Sequence, residues 1–221
     1  MNIPPKISMF EQFAIVAKAL SSSQRLNLLE LLAQGERDVE GLAKAADLSI
    51  ANASQHLQVL RRSGLVVSRK RGPYVLYRLS DDDVLKLLAA LRHTAERHLA
   101  EVDRLVRSYF REKDGLKPIS HNDLMLRMKE GLVTVLDVRS PDEYAAGHLP
   151  GSINIPLKNL KRKLGDLPKN PEIIAYCRGP YCVLAYEAIA VLRANGRKAR
   201  RMEDGFPEWR AAGLPVETAC K

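Results

Sequence analysis

Apolar residues in the first half of the chain recur at intervals of three and four, the spacing of amphipathic helices. This pattern predicts helices over residues 10–20, 23–35, 38–49 and 50–64, with a break at 47–49 between the last two. A short helix, a tight turn and a second helix form the arrangement that presents the second helix to a DNA major groove. We therefore interpret the helix over 50–64 as a candidate recognition helix.

Two β-prone segments, residues 65–70 and 74–80, follow this helix and are joined by the short sequence RGP. Such a pattern predicts a β-hairpin. Three basic residues, Arg69, Lys70 and Arg71, lie at its tip. Because basic side chains beside a recognition helix suit contacts with backbone phosphates, we expect the hairpin to act as a wing.

A long helix is predicted over residues 81–110, directly after the hairpin. It opens with three aspartates, and negative charge stabilises the positive N-terminal end of a helix dipole. Its apolar stripe has little of its own small domain to cover, so we expect it to pack on a second subunit, the alternative being packing within the monomer. The stripe consists of Leu87, Leu88, Leu91, Leu99, Val102, Leu105 and Val106.

The second half of the chain alternates short apolar segments with helical ones, which is typical of an α/β domain with a central parallel sheet. Strands are predicted within residues 132–140, 152–156, 172–177 and 199–205. Helical segments are predicted between and after them, over 157–168, 183–196 and 206–213.

A polar segment containing Gly115 and Pro118 separates the two halves and is typical of a linker. We predict a mainly α-helical winged helix-turn-helix domain for DNA binding and dimerisation over residues 1–112. A linker over 113–118 and an α/β domain over 119–221 complete the predicted organisation.

Charge along the chain supports a nucleic-acid partner for the first half. The formal net charge is +9, and residues 48–80 contain no Asp or Glu. A solvated basic face would explain a charge run alone, but here the run coincides with the predicted helix-turn-helix and wing. Its basic residues are Arg61, Arg62, Arg69, Lys70, Arg71 and Arg78.

Hydropathy and cysteine content bear on the compartment. No apolar stretch approaches the roughly 18 residues that a membrane helix needs, and the N-terminus lacks the basic and apolar blocks of a signal peptide. Three cysteines are few for a secreted disulfide scaffold. We therefore expect a cytoplasmic protein without a membrane partner.

Residues 38–80 resemble the ArsR/SmtB family of winged-helix repressors, because helix, turn, helix and wing follow one another in unbroken register. The resemblance implies a homodimer on a double-stranded DNA operator, with the first helix and the long helix at the dimer interface. Expected groove-facing residues of the recognition helix are Ala51, Asn52, Ser54, Gln55 and Gln58, of which Asn and Gln can bind adenine edges. Expected phosphate contacts are Arg61, Arg62, Arg69, Lys70 and Arg71.

Many members of that family bind metals, but this sequence lacks the usual ligands. The helix before the recognition helix contains no cysteine. The long helix offers Asp82, His93, Glu96 and His98, an incomplete set for the closed nitrogen and sulfur coordination that Zn²⁺ prefers. We predict no metal site and no cofactor.

Two cysteines, Cys177 and Cys182, lie between a predicted strand and the helix that follows it. Backbone amides of such a loop and the helix dipole stabilise a thiolate, and Arg178 adds positive charge. Gly179 allows close backbone approach. Cys177 is therefore the candidate nucleophile and Cys182 a candidate resolving thiol; two inert buried cysteines and a zinc site are the alternatives.

Residues 119–218 resemble the rhodanese domain, through VLDVRSPDEYAAGHLPGSINIP and DGFPEWRAAGLPV, although Asp204 stands where the family usually has a glycine. The resemblance implies that Cys177 is the catalytic cysteine and carries sulfur as a persulfide. Related phosphatases and arsenate reductases have C-x₅-R, which this chain lacks because Val183 occupies the arginine position.

Three neighbouring side chains are predicted to have structural roles. Asp137 and Arg139 are expected to form an ion pair beneath the loop, and Trp209 to lie in the core. His148 is expected to make a turn hydrogen bond.

These observations predict a DNA-binding repressor in which Cys177, Cys182, Arg178 and Gly179 sense or carry sulfane sulfur or oxidants. Its partners would be an operator, a second copy of the chain, and a small sulfur donor or oxidant. One alternative is a sulfurtransferase enzyme whose winged helix serves autoregulation. Another is an inert rhodanese-like domain used only for docking.

Overall fold

The computed structural model describes residues 4–106, 108 and 117–218. Two compact units make up the chain, Met1–Val84 and Leu85–Lys221. The predicted linker at 113–118 lies mostly outside the described residues, so the proposed domain boundaries stay a prediction. Within the described residues, no helix combines the length and the hydropathy that crossing a membrane requires.

The first unit is a winged helix-turn-helix, as the sequence predicted. Antiparallel strands pair in the order β1-β3-β2, and β1 is an addition that the sequence did not reveal because two residues carry no periodicity. The elements are α1 (Pro5–Leu20), α2 (Ser23–Ala33), β1 (Arg37–Asp38), α3 (Val39–Ala45), α4 (Ile50–Arg62), β2 (Val66–Arg71) and β3 (Tyr74–Leu79).

Side-chain caps and turn residues set the boundaries of the helix-turn-helix. Asp38 accepts a hydrogen bond from the Gly41 amide at 2.6 Å and so begins α3. Ser49 does the same for the Asn52 amide at the start of α4, at 3.2 Å. Between them Asp47 has a φ of 53°, a left-handed conformation that ends the first helix.

The predicted long helix over 81–110 consists of two helices in its described part. These are α5 (Asp83–His98) and α6 (Ala100–Val106), which meet at Leu99. There the Val102 amide donates to the Leu99 carbonyl three residues back, at 3.0 Å, so the hydrogen-bond ladder tightens locally. Beyond Val106, the prediction lies outside the described residues except at Ser108.

The second unit contains a four-stranded parallel sheet in the order β5-β4-β6-β7, which confirms the predicted fold class. Helix α7 is an element that the sequence analysis missed. The elements after α6 are α7 (His121–Lys129), β4 (Val133–Asp137), α8 (Pro141–Ala146), β5 (Ile153–Asn154), α9 (Leu157–Leu160), a 3₁₀-helix (Lys161–Asp166), β6 (Glu172–Tyr176), α10 (Val183–Ala194), β7 (Ala199–Arg201) and α11 (Phe206–Ala211).

Central strand β6 sends alternate side chains to two separate apolar clusters, as the period of two in a strand requires. Ile173 and Ala175 join the cluster that contains Leu192 of α10. Ile174 and Tyr176 join the cluster that contains Trp209 of α11. Since the alternation continues past the strand end, Cys177 falls on the α10 side.

Candidate functional site

Cys177 directly follows β6, and Cys182 is the N-cap residue of α10. A disulfide joins them, and their Cα atoms lie 6.1 Å apart, within the range that a disulfide spans. Cys177 is only 1% exposed and packs in the apolar cluster of β6 and α10. We call residues Cys177–Cys182 the cysteine loop.

Backbone hydrogen bonds hold the cysteine loop in a compact turn. The Cys182 amide donates to the Gly179 carbonyl at 3.1 Å, so this amide is used inside the loop. The Phe206 amide donates to the Cys177 carbonyl at 3.0 Å and ties the start of the loop to α11. Whether the remaining amides face the sulfur stays a prediction.

Arg178 forms an ion pair with Glu143, a residue that the sequence analysis did not assign to the site. Its Nε and Nη2 donate to the two carboxylate oxygens of Glu143, at 2.7 and 2.9 Å. Burial alone would raise the pKa of Glu143. Hydrogen bonds from Arg178 and Ser140, together with the positive charge of Arg178, outweigh burial and lower this pKa to about 2. Arg178 therefore anchors the cysteine loop to α8.

Glu143 itself has a signal in the sequence. Ser140 and Glu143 form a capping box at the start of α8, in which the Glu143 carboxylate accepts from the Ser140 amide at 3.1 Å. The S-x-x-E spacing predicts this cap. Its second role, as the partner of Arg178, depends on residues 35 positions apart and has no local signature.

The close approach of α11 to the cysteine loop explains why a glycine is retained at position 205. A Cβ at this position would overlap the backbone of Gly179 and Arg178, so α11 and the cysteine loop approach more closely than any other residue allows. Gly179 supplies backbone to this approach, which the missing side chain of Gly205 allows. The role predicted for Gly179 beside the sulfur stays a prediction.

Beneath the cysteine loop, the predicted ion pair of Asp137 and Arg139 is confirmed. Arg139 Nη2 lies 2.6 Å from Asp137 Oδ2, and both side chains are fully buried. Arg139 also donates to the Gly147 carbonyl at 2.7 Å and lies over the Phe206 ring at 4.3 Å. Because removing either partner would leave an uncompensated buried charge, the pair is expected to hold this part of the fold together.

The structural roles of Trp209 and His148 are confirmed as well. Trp209 is buried, and its indole N–H donates to the Pro215 carbonyl at 2.7 Å. His148 Nδ1 lies 2.8 Å from the Tyr144 carbonyl within the turn after α8.

Recognition helix α4 separates polar from apolar positions as predicted. Ala53, Leu57 and Leu60 are fully buried and hold the helix on the unit. The opposite face carries the predicted groove-facing residues. Of these, Ala51, Asn52, Gln55 and Gln58 are exposed, and Ser54 is half-buried.

The predicted phosphate contacts Arg61, Arg62, Lys70 and Arg71 are exposed as well. Arg69 differs, because its Nε and Nη2 donate to the Glu36 carboxylate at 2.7 and 2.5 Å. The hydrogen bond from Arg69 lowers the pKa of Glu36, although burial opposes this. The sequence analysis missed Glu36, which lies 33 residues from Arg69.

Metal-ligating side chains do not gather in the part of the chain that the structure describes: no group of three or more His, Cys, Asp or Glu could hold an ion there. On α5, His93 and Glu96 form a pair with an Nδ1 to Oε2 distance of 3.4 Å. Cys220 lies outside the described residues.

Family models match both halves of the chain. The model of the bacterial regulatory protein, arsR family, matches residues 22–68, which span the helix-turn-helix. The model of the rhodanese-like domain matches residues 120–212, which include the cysteine loop.

Several known proteins are similar to this chain. HTH-type transcriptional regulator Rv0324 of Mycobacterium tuberculosis is 42% identical over 212 residues, covering 96% of this chain and 93% of its own. A sulfurtransferase of Allochromatium vinosum is 28% identical over 85 residues, covering 38% of this chain and 78% of its own. The homodimeric winged helix-turn-helix domain of a Mycobacterium bovis protein is 40% identical, with a TM-score of 0.42, covering 46% and 94% of the two chains.

Proposed function

The chain belongs to the arsR family of HTH-type transcriptional regulators and carries a rhodanese-like domain, and on this premise we propose that it is a dimeric DNA-binding repressor whose cysteine loop senses sulfane sulfur or oxidants. The single observation that carries the proposal is the pairing of Cys177 with Cys182 at a Cα separation of 6.1 Å. At this separation, one thiol resolves a modification formed on the other.

DNA binding is assigned to the exposed face of α4 and to the wing. Asn52, Gln55 and Gln58 offer amide groups that pair with base edges in a major groove. Exposed Arg61, Arg62 and the basic residues of the wing neutralise phosphates, which supplies affinity without sequence preference.

Dimerisation is assigned to apolar surface on α1 and α5. Phe10 and Phe13 of α1 and Leu87 and Leu91 of α5 are exposed large apolar side chains. Apolar surface of this kind marks an interaction site. A second copy of the chain is the expected occupant, as the resemblance to the ArsR/SmtB family implies.

The proposed chemistry begins with the Cys177 thiolate attacking a terminal sulfur of an inorganic polysulfide. A bond forms between Cys177 and that sulfur, and the displaced sulfur chain leaves as an anion one atom shorter. The Cys182 thiolate then attacks Cys177 Sγ, forming the Cys177–Cys182 disulfide, and the outer sulfur takes one proton from water and leaves as HS⁻. Two cysteine thiolates are oxidised by two electrons in total, and one sulfane sulfur is reduced to sulfide.

A sulfurtransferase activity is the second candidate. It is favoured by the rhodanese-like domain and by the similarity to a sulfurtransferase. In that case the Cys177 persulfide passes its sulfur to an acceptor before Cys182 reacts. The position of Cys182 within disulfide distance of Cys177 favours the sensing function, because this resolving thiol competes with any external acceptor.

The test compares the wild type with Cys177→Ser and Cys182→Ser, each reduced or treated with inorganic polysulfide. Affinity for the duplex preceding the protein's own gene is measured by fluorescence anisotropy, and the modification by intact mass. We expect polysulfide to change the wild-type dissociation constant about fivefold or more, in the range of allosteric couplings. Cys177→Ser should abolish this response.

An unchanged response in Cys177→Ser would refute the sensing function. If the wild type does not respond but transfers sulfur from thiosulfate to cyanide, faster still in Cys182→Ser, the sulfurtransferase function is favoured. Intact mass separates the species, since each persulfide sulfur adds about 32 Da and a disulfide removes about 2 Da.

A further inference from the structure

The cysteine loop contacts helix α5 through Tyr181, a residue to which no function has been assigned above. Tyr181, adjacent to Cys182, donates a hydrogen bond from its hydroxyl to Glu96 of α5. Both residues belong to the compact unit Leu85–Lys221. Burial, and then the Glu96 contact, raise the pKa of Tyr181, so the hydroxyl keeps its proton and remains a donor at neutral pH.

One turn earlier on the same face of α5, Arg92 makes a second set of contacts. Its Nη1 lies 2.6 Å from Glu208 of α11, and its Nη2 lies 3.6 Å from Asp204. Arg92 also lies 3.5 Å from Glu96, which orients that carboxylate. We call Arg92, Glu96, Tyr181, Asp204 and Glu208 the α5 contact.

The two halves of the α5 contact meet the cysteine loop at different points. The acidic partners of Arg92 precede and belong to α11, which is tied to the start of the loop by the Phe206–Cys177 backbone hydrogen bond. The Glu96 half contacts the end of the loop through Tyr181, whose neighbour Cys182 is held by the disulfide to Cys177. A change at the Tyr181 end of the loop therefore acts on α5 through Glu96.

Packing around Cys177 provides a reason for such a change when the sulfur is modified. Cys177 is 1% exposed and surrounded by the apolar cluster of β6 and α10. Close-packed protein interiors do not accept an additional sulfur atom without displacing neighbours. The loop, which is only half-buried from Arg178 to Cys182, is the neighbour that can move.

We propose that Tyr181 transmits the covalent state of the cysteine loop to α5, an inference that rests on the proposed sensing function. In the disulfide state the Tyr181 hydroxyl is held on Glu96, as the structure has it. In the reduced state the two sulfur atoms are no longer bonded and separate to a non-bonded distance, and in the persulfide state an additional sulfur must be accommodated. In both cases the loop shifts and this hydrogen bond is released. Only three residues separate α5 from wing strand β3, so the helix is directly continuous with the DNA-binding unit.

Tyr181→Phe tests the proposal, because it removes the hydroxyl and keeps the ring. Full-length protein is prepared in the diamide-oxidised disulfide form and the reduced form, each verified by mass. The ratio of their dissociation constants for the same duplex is the readout. We expect a ratio of about five or more in the wild type and below about two in Tyr181→Phe.

Tyr144→Phe is the matched control, because it removes a hydroxyl that donates to the Ser152 carbonyl at 2.7 Å, away from α5. It should keep the wild-type ratio. A second variant, Glu96→Ala, removes the acceptor and should reduce the ratio as Tyr181→Phe does. The double variant should then add no further loss, since both changes break one hydrogen bond.

Hydrogen exchange of residues 85–98 supplies a readout that does not involve DNA. In the wild type, the amides of this segment should exchange faster in the reduced form than in the disulfide form. In Tyr181→Phe, their exchange rate should be the same in both forms. A wild-type ratio preserved in Tyr181→Phe, with the disulfide formed, overturns the inference and leaves the sensing function standing. A wild-type ratio of one overturns the sensing function itself.

Discussion

The wing and the cysteine loop each contain an arginine that forms an ion pair with a glutamate, but the two pairs differ in how firmly they hold the arginine. Arg69 at the wing pairs with Glu36, and their side chains are 58% and 23% exposed. Arg178 in the cysteine loop pairs with Glu143, and their side chains are 35% and 2% exposed. Both arginines were predicted to offer positive charge to an anion, a phosphate in one case and a thiolate in the other.

Burial of the carboxylate decides what each pair does. An exposed ion pair is weakened by solvent and contributes little, so Arg69 can exchange Glu36 for a DNA phosphate at little cost. A buried carboxylate without its partner is far more costly, so Glu143 keeps Arg178 in place. The same pair of residue types thus leaves the wing arginine able to bind a phosphate and fixes the loop arginine to α8.

The largest expected effect is that of Glu143→Gln on stability. The substitution keeps the shape but removes the charge that Arg178 holds, so we expect a loss on the order of 2 kcal/mol in the free energy of unfolding. This lies below the roughly 3–5 kcal/mol of a fully buried pair, because Arg178 can turn to solvent. Urea unfolding followed by the fluorescence of Trp209, the single tryptophan, measures it.

Glu36→Gln is the matched control for that measurement. It makes the same chemical change in the exposed pair and should alter the free energy of unfolding, followed by circular dichroism, by less than about 1 kcal/mol. Equal losses in the two variants would contradict the contrast between the pairs.

Acid should weaken the buried pair within a defined pH range. The pKa of Glu143 is lowered in the folded protein from 4.5 to about 2, so its contribution to stability is present above pH 4.5 and disappears as pH falls through about 2. Wild type should therefore lose its advantage over Glu143→Gln between these pH values. Unfolding midpoints at several pH values check this, and a constant difference down to pH 2 would argue against the assignment.

The smallest expected effect is that of Glu36→Gln on DNA binding. Freeing Arg69 from its carboxylate should raise affinity for duplex DNA by up to about fivefold at low salt, since an exposed pair contributes little. The gain should shrink as salt rises, because exposed charges are screened over about 10 Å at 0.1 M. Anisotropy titrations at two salt concentrations measure it. Unaltered affinity at low salt would mean that Arg69 does not reach a phosphate.

Local patterns in the sequence were sufficient for most of the fold. Periodicity placed the helix-turn-helix, and strands alternating with helices indicated the parallel sheet. Errors arose where local signals are weak. The two residues of β1 are too few to show alternation, α7 was not identified, and the break at Leu99 interrupts an apolar stripe that continues across it.

The candidate site was predictable only in part, because its parts come from distant segments. Cys177 and Cys182 were found from their position between a strand and a helix. Their anchors were not, since Glu143 meets Arg178 across 35 residues and Tyr181 meets Glu96 across 85. Such partners share no periodicity with the residues they contact.

By itself, the sequence determined which residues are chemically equipped for a function: an unopposed basic segment, amide side chains on one helix face, and two thiols at the entrance to a helix. These are properties of residue type and of neighbours along the chain. Tertiary structure alone decided which of the cations are engaged, which sulfur is buried and which helix touches the cysteine loop. The physical reason is that ion pairing and burial depend on distance in space, which the order of residues constrains only over a few turns or strands.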